Sequence, residues 1–210
     1  MKYQSALSLP ALAACLVLLG PNFAAAKTAP NATASEPARA SNAGSNQAMQ
    51  MVPAQADLTN TLDSRKARVG QKFEATLNSK VELKNGPVLP KDTVLVGEVI
   101  ENQTSHNNQP SVLTLRFTQA DLKNGKTIPI KATIVGLYSA QSHYQPFSGM
   151  MTQTPNYWTP QTLQVDQINA LHSVDLHSKI AENNSGVMRS NKNIHFLPGT
   201  EFSLAIAKRG

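Results

Sequence analysis

The densest grouping of side chains able to bind a metal or move a proton is His172-Ser173-Val174-Asp175-Leu176-His177. Two imidazoles and a carboxylate are the residue types of a zinc site or of acid–base catalysis. Their spacing argues against shared work. On a strand, positions 172 and 177 point to opposite faces, whereas 173, 175 and 177 share one. On a helix of 3.6 residues per turn, the same two histidines stand about 140° apart. Further ligands would have to come from distant parts of the chain, so no metal and no other cofactor is expected. The remaining histidines, His106, His143 and His195, stand alone.

Carboxylate pairs such as Glu98 with Glu101, or Asp166 with Asp175, have the residue types that flank a sugar in glycoside hydrolysis. Thirteen acids make such pairs commonplace. A serine nucleophile on a Gly-x-Ser-x-Gly elbow is not spelled out, since Phe147-Ser148-Gly149 keeps only the second half. Cys15 is the only cysteine and falls in the leader segment described below. The processed chain is therefore expected to lack disulfides and the thiol chemistry of sortases, papain-like proteases and L,D-transpeptidases. No catalytic residue is assigned. Tyr144, Phe147, Tyr157 and Trp158 are the better candidates, as binding residues. Their flat faces suit sugar rings or protein partners, and Tyr and Trp dominate interface hot spots. The competing expectation is that these rings fold back over one end of the domain.

Elements able to position those groups begin only well into the chain. Residues 1–26 read as a Sec leader: Lys2, an apolar stretch from Ala11 to Leu19, the helix-breaking pair Gly20-Pro21, and Ala24-Ala25-Ala26 as a small-residue cleavage site. That apolar run is about half of the roughly twenty residues a membrane span needs, so the mature chain is expected to carry no span. Leu12-Ala13-Ala14-Cys15 also spells a lipobox, and acylation of Cys15 is the alternative. Export to the periplasm or cell surface is the expectation either way. The formal charge is +6 with scattered cations, densest at Arg65-Lys66-Ala67-Arg68. An exported chain has little access to nucleic acid, and this mild basicity suits anionic envelope surfaces.

Residues 27–55 contain eight alanines among Asn, Ser, Gln, Thr and Pro. Such a stretch buries too little apolar area to offset its ordering entropy, and it reads as a disordered linker. From there the period is two. Phe73, Ala75 and Leu77, then Leu113, Leu115 and Phe117, then Phe202, Leu204 and Ile206 alternate with polar or small residues, as half-buried strands do. Stretches 94–100 and 128–137 are more continuously apolar and suit strands covered on both faces. Between 163 and 180, Val165, Ile168, Leu171, Val174 and Leu176 fit one helix face, and a strand reading of 168–180 fits nearly as well.

Turn chemistry recurs between these runs. Leu83-Lys84-Asn85-Gly86 is echoed by Leu122-Lys123-Asn124-Gly125, and Asn-Gly is the strongest hairpin signal because both residues tolerate positive φ. Leu89-Pro90-Lys91-Asp92-Thr93 is echoed by Leu197-Pro198-Gly199-Thr200, with Asp92 and Gly199 as the turn residues. The expected fold is all-β or nearly so: a small antiparallel barrel or sandwich over 56–210, with room for one short helix near 163–180. An irregular, aromatic-rich insertion at 139–162 interrupts it.

The order Leu62 to Gly70, Val88-Leu89-Pro90-Lys91-Asp92-Thr93-Val94-Leu95-Val96-Gly97-Glu98-Val99, Leu122-Lys123-Asn124-Gly125-Lys126-Thr127-Ile128-Pro129-Ile130 and Leu197-Pro198-Gly199-Thr200-Glu201-Phe202 resembles the C-terminal β-barrel of TrbI-like components of conjugation and type IV secretion channels. It covers about residues 58–138 and 194–207. Members of that family carry an inner-membrane helix, a long stalk and a helical antenna, which this chain does not spell out, and Asp92 stands where they usually have glycine. The resemblance implies the barrel module alone, as a scaffold or docking unit, and implies no catalytic residues. The expected function is a non-enzymatic envelope protein acting through protein–protein contacts, related to secretion or conjugation. A carbohydrate- or peptidoglycan-binding module using 139–162 is the alternative, and a secreted hydrolase the third.

Overall fold

The computed structural model describes residues 49–140 and 156–209. Thirteen strands follow in order: β1 (Val52–Leu58), β2 (Leu62–Asp63), β3 (Lys72–Leu77), β4 (Val81–Glu82), β5 (Val88–Leu89), β6 (Val94–Gln103), β7 (Ser111–Asp121), β8 (Thr127–Tyr138), β9 (Gln164–Leu171), β10 (Val174–Lys179), β11 (Gly186–Ser190), β12 (His195–Phe196) and β13 (Glu201–Lys208). The fold is all-β, with no helix among the described residues.

Six strands close on themselves in the order β6-β3-β1-β13-β8-β7, and β7 pairs back onto β6. Every neighbouring pair is antiparallel. A barrel this small has room inside only for side chains. Here Leu58, Leu77, Leu95, Leu115, Ile130, Ile134, Leu204 and Ile206 are among the residues that fill it. An edge-to-face series of rings packs with them: Phe73 on Phe117 at 5.1 Å, Phe117 on Phe202 at 5.9 Å, and Phe202 on Phe196 at 6.3 Å. Such pairs add about 1 kcal/mol each beyond their burial.

The linker expectation is too long at its C-terminal end. Residues 52–55 belong to β1, which pairs with β13 from Val52↔Ile206 onward. Ala54 and Ala56 look inert in the sequence, but both are buried, because small side chains fit where β1 lies between β3 and β13. The short helix also gives way to strands. Residues 164–179 form the β9–β10 hairpin, whose two turn residues, His172 and Ser173, both have positive φ (46° and 65°). Two positive φ values between paired strands are the signature of a type I′ turn. Neither Asn-Gly pair shows it. At the first, Asn85 carries the positive φ (51°); at the second, Gly125 does (79°). Gly125 N–H bonds Leu122 C=O at 2.9 Å and Leu122 N–H bonds Lys126 C=O, a longer hairpin loop with glycine in the left-handed position.

The Leu-Pro corners do act as the echo suggests. Asp92 (φ 62°) and Gly199 (φ 79°) are both left-handed, each followed by a buried threonine that leads into a strand. The Asp92 N–H bonds Leu77 C=O while Leu77 N–H bonds Thr93 C=O. In the same way, the Gly199 N–H bonds Leu58 C=O while Leu58 N–H bonds Thr200 C=O. One cassette thus seats β6 beside the end of β3, and a second copy seats β13 beside the end of β1.

Three further strands of the large sheet, β11, β10 and β9, extend it outward from β7, while β2 with β12 and β4 with β5 form two small ladders of their own. Only the last three residues of β7 pair with β8, because β11 occupies the other end of β7. Ser185 stitches the seam between them. Its N–H donates to Leu115 C=O, its Oγ accepts from Phe117 N–H, and its C=O accepts from Ile134 N–H, at 2.7, 2.9 and 2.7 Å. Ser178 Oγ donates to Ile134 C=O beside it. Removing one partner of a buried bond strands the other. Ser185→Ala is therefore expected to lower the unfolding free energy by about 2 kcal/mol, read as a shifted midpoint in urea with an unchanged slope. An unshifted midpoint would show that water replaces the hydroxyl.

Candidate functional site

Tyr144 and Phe147 lie outside the described residues. Trp158 and Tyr157 are described, and they part company. Trp158 N–H and C=O both pair with Met51, at 2.7 and 2.8 Å, forming a bridge between the segment before β9 and the segment before β1. Its side chain is only 6% exposed, in a second apolar cluster with Met51, Leu163, Ile180, Ala205 and Ala207. Ala205 and Ala207 point away from the barrel interior, so β13 is covered on both faces and not half-buried as its sequence suggests. Trp158 is therefore a cover over the outside of β13 and offers no free face to a ligand. Tyr157 is 44% exposed, with Lys84 Nζ 5.9 Å from its ring centroid.

The histidine grouping divides as its spacing implies. His172 sits in the β9–β10 turn, while His177 lies on β10 opposite Asp166 of β9. His177 Nδ1 meets the Asp166 carboxylate, and Nε2 lies 3.3 Å from Glu182 in the β10–β11 connection. Held between two carboxylates, its pKa is raised above the usual 6.5, first by the bond to Asp166 and also by Glu182, against some desolvation. Asp166 and Glu182 are lowered in turn. No group of three His, Cys, Asp or Glu side chains is arranged to hold a metal among the described residues.

His177, Asp166, Asp175, Gln167, Ile168 and Arg189 are among the residues that line a concavity of about 410 Å³ on the outer extension. Ile168 is 79% exposed, the largest value among the exposed large apolar residues. It lies on β9, which among the described residues pairs with β10 alone. The other edge of β9 is not a clean template for another strand. Asn169 is left-handed (φ 55°), its N–H turns to Asp175 Oδ1 at 2.9 Å, and the β9–β10 register shifts there. Irregularities of this kind blunt edge-to-edge pairing. The acids weighed as a glycosidase pair thus serve the hairpin itself: Asp166 accepts from Gln164 and holds His177, and Asp175 accepts from Asn169. The other pair is also separated, Glu98 binding Arg116 and Glu101 accepting from Thr114 Oγ1.

A pH dependence follows from His177. A folded-state pKa above the unfolded value contributes stability that is fully present below about pH 6.5 and is lost as pH rises through the folded value. Raising the pH from 6 to 9 should therefore lower the melting temperature by an increment that His177→Gln lacks. Equal slopes for both proteins across that range would remove the His177 clasp from the description.

Asp63 is a polar centre that the sequence does not single out. It is buried, and its carboxylate takes Arg65 Nε and Nη2 together with the Arg65 N–H, with His195 Nδ1 at 3.3 Å. The Arg65 bonds hold it well below the ordinary carboxylate range despite burial. The cluster Arg65 to Arg68 is thereby partly spent on closing the β2–β12 pair. Only the meeting of residues 63 and 195 reveals this. The chain matches no family model, no curated protein and no solved structure.

Proposed function

We propose that this chain is an exported, non-enzymatic envelope protein whose barrel serves as a scaffold or docking unit, binding protein partners through the outer β9–β11 extension, in a secretion- or conjugation-type assembly. One observation carries the reading. The barrel interior is filled by its own side chains, while the extension presents a concavity lined by an exposed isoleucine among charged groups of both signs. An apolar anchor inside a polar rim is the usual anatomy of a protein interface. The TrbI-like resemblance supports the same use, since it implies a barrel without catalytic residues.

Site-specific photocrosslinking in the envelope tests this. A crosslinker at position 168 is expected to give discrete protein adducts that Asp175→Lys weakens, whereas one at exposed Val88 on β5 gives none. Equal labelling from both positions would sink the docking reading. The carbohydrate alternative rests on Tyr157, whose ring is exposed beside Lys84. Retention on purified cell-wall polysaccharide that Tyr157→Ala abolishes and Ile168→Asp leaves intact would decide for it.

A further inference from the structure

A second hollow, of about 210 Å³, opens at the seam that Ser185 stitches, with Ser185 itself in its lining. Three cationic side chains from separate elements line it: Arg116 of β7, Lys131 of β8, and Arg209 just after β13. Register brings the last two together. β13 pairs with β8 through Lys208↔Ile130, and the Arg209 N–H bonds Pro129 C=O at 3.0 Å, so the side chains at 131 and 209 sit within one short stretch of ladder. Arg116 is fixed by two bonds to Glu98 Oε1 and a longer one to Asn183 C=O.

The charges in this hollow do not balance. Glu98 is engaged by Arg116, and the Glu182 carboxylate is engaged by Asn184 Nδ2 and His177. Lys131 Nζ reaches only the backbone carbonyl of Glu182, at 2.9 Å. No carboxylate pairs with Lys131 or Arg209 among the described residues. A partly buried ammonium near a second cation, with no carboxylate in ion-pair contact among the described residues, is an arrangement that burial disfavours. Burial first and then the charge of Arg209 push the Lys131 pKa down, opposed in lesser part by the Glu182 carboxylate. A tetrahedral oxyanion would relieve both effects, since it can accept from the Lys131 ammonium and the Arg209 guanidinium at once.

We propose that the hollow between Arg116, Lys131 and Arg209 binds a phosphate-class oxyanion, free or as the exposed phosphate of a lipid headgroup. The site is distinct from the Ile168 concavity and does not depend on the docking reading. Arg209 and Lys131 supply the free donors, and Arg116, anchored by Glu98, supplies the edge.

The test uses inorganic phosphate and, separately, phosphatidylglycerol vesicles, at fixed ionic strength, on the purified protein. Wild type is expected to show saturable NMR shifts at Lys131 and Arg209 with phosphate and a rise in the Lys131 pKa. Arg209→Gln, at an exposed position, and Lys131→Met should each weaken binding by about tenfold or more, whereas Lys72→Gln, on the exposed outside of β3, should not. Vesicle retention lost in the same two variants would identify the lipid headgroup as a source, and a response to phosphate without retention would identify a soluble anion. The proposal is overturned if neither probe gives a saturable response. It is also overturned if Lys72→Gln weakens binding as much as Arg209→Gln, because the effect would then be diffuse surface charge.

Discussion

Trp158→Ala is expected to cost about 3 to 5 kcal/mol of unfolding free energy, the range for deleting a large buried aromatic. The indole fills the space between Met51, Leu163 and Ile180 and covers Ala205 and Ala207 on the outward face of β13. Its removal leaves a cavity over a strand whose other face is the barrel core. Domains of this size are stable by only about 5 to 15 kcal/mol, so a loss of this size should be visible as a much lower urea midpoint. Trp158→Phe, which keeps most of the apolar volume, should cost clearly less. Since this is the chain's single tryptophan, the wild-type emission should also be that of a buried indole and shift on unfolding. An alanine variant with wild-type stability that had lost affinity for polysaccharide would return Trp158 to the surface and to ligand binding.

Gly97→Val should be comparably severe, for the opposite reason. Gly97 on β6 faces Phe73 on β3 and Phe117 on β7. The two rings meet at 5.1 Å because nothing projects from the backbone between them. A Cβ at 97 would stand 2.6 Å from Phe73 Cε1 and 2.9 Å from the Arg116 carbonyl oxygen. The ring has little room to retreat, and the carbonyl belongs to the neighbouring strand. Overpacking in a filled core costs about 1 to 3 kcal/mol and sometimes more, and this site should fall at or above the upper end. Gly97→Ala should show a smaller loss, partly recovered in a Phe73→Leu background. A double-mutant cycle would measure that coupling. Additivity of the two substitutions would mean that the Phe73 ring is not what excludes a side chain at 97.

Both positions show where sequence reading stops. Phe73 and Phe117 are legible as inward-facing residues because polarity alternates around them, but their contact across Gly97 depends on which strands are neighbours. Trp158 sits among prolines and polar residues with no periodicity, so the sequence leaves it open between a binding aromatic and a cover over the domain. What buries it is an antiparallel bridge to Met51, more than a hundred residues earlier. The error at β1 has the same origin. Val52, Ala54 and Ala56 are too small or too few to announce a strand, and they become part of one because β13 and β3 supply partners on both sides.

Alternating polarity and left-handed turn residues were enough to determine an all-β chain, the inward faces of β3 and β7, and the turn role of Asp92 and Gly199. These are local properties, set by φ preference and by a side-chain period of two, and they act within a few residues. Closure into six strands, the cover over β13, the clasp on His177, the Asp63 centre and the convergence of Arg116, Lys131 and Arg209 were decided only by tertiary structure. Each depends on register between strands far apart in the chain, and register follows from the sum of many weak contacts, which no single stretch of residues contains.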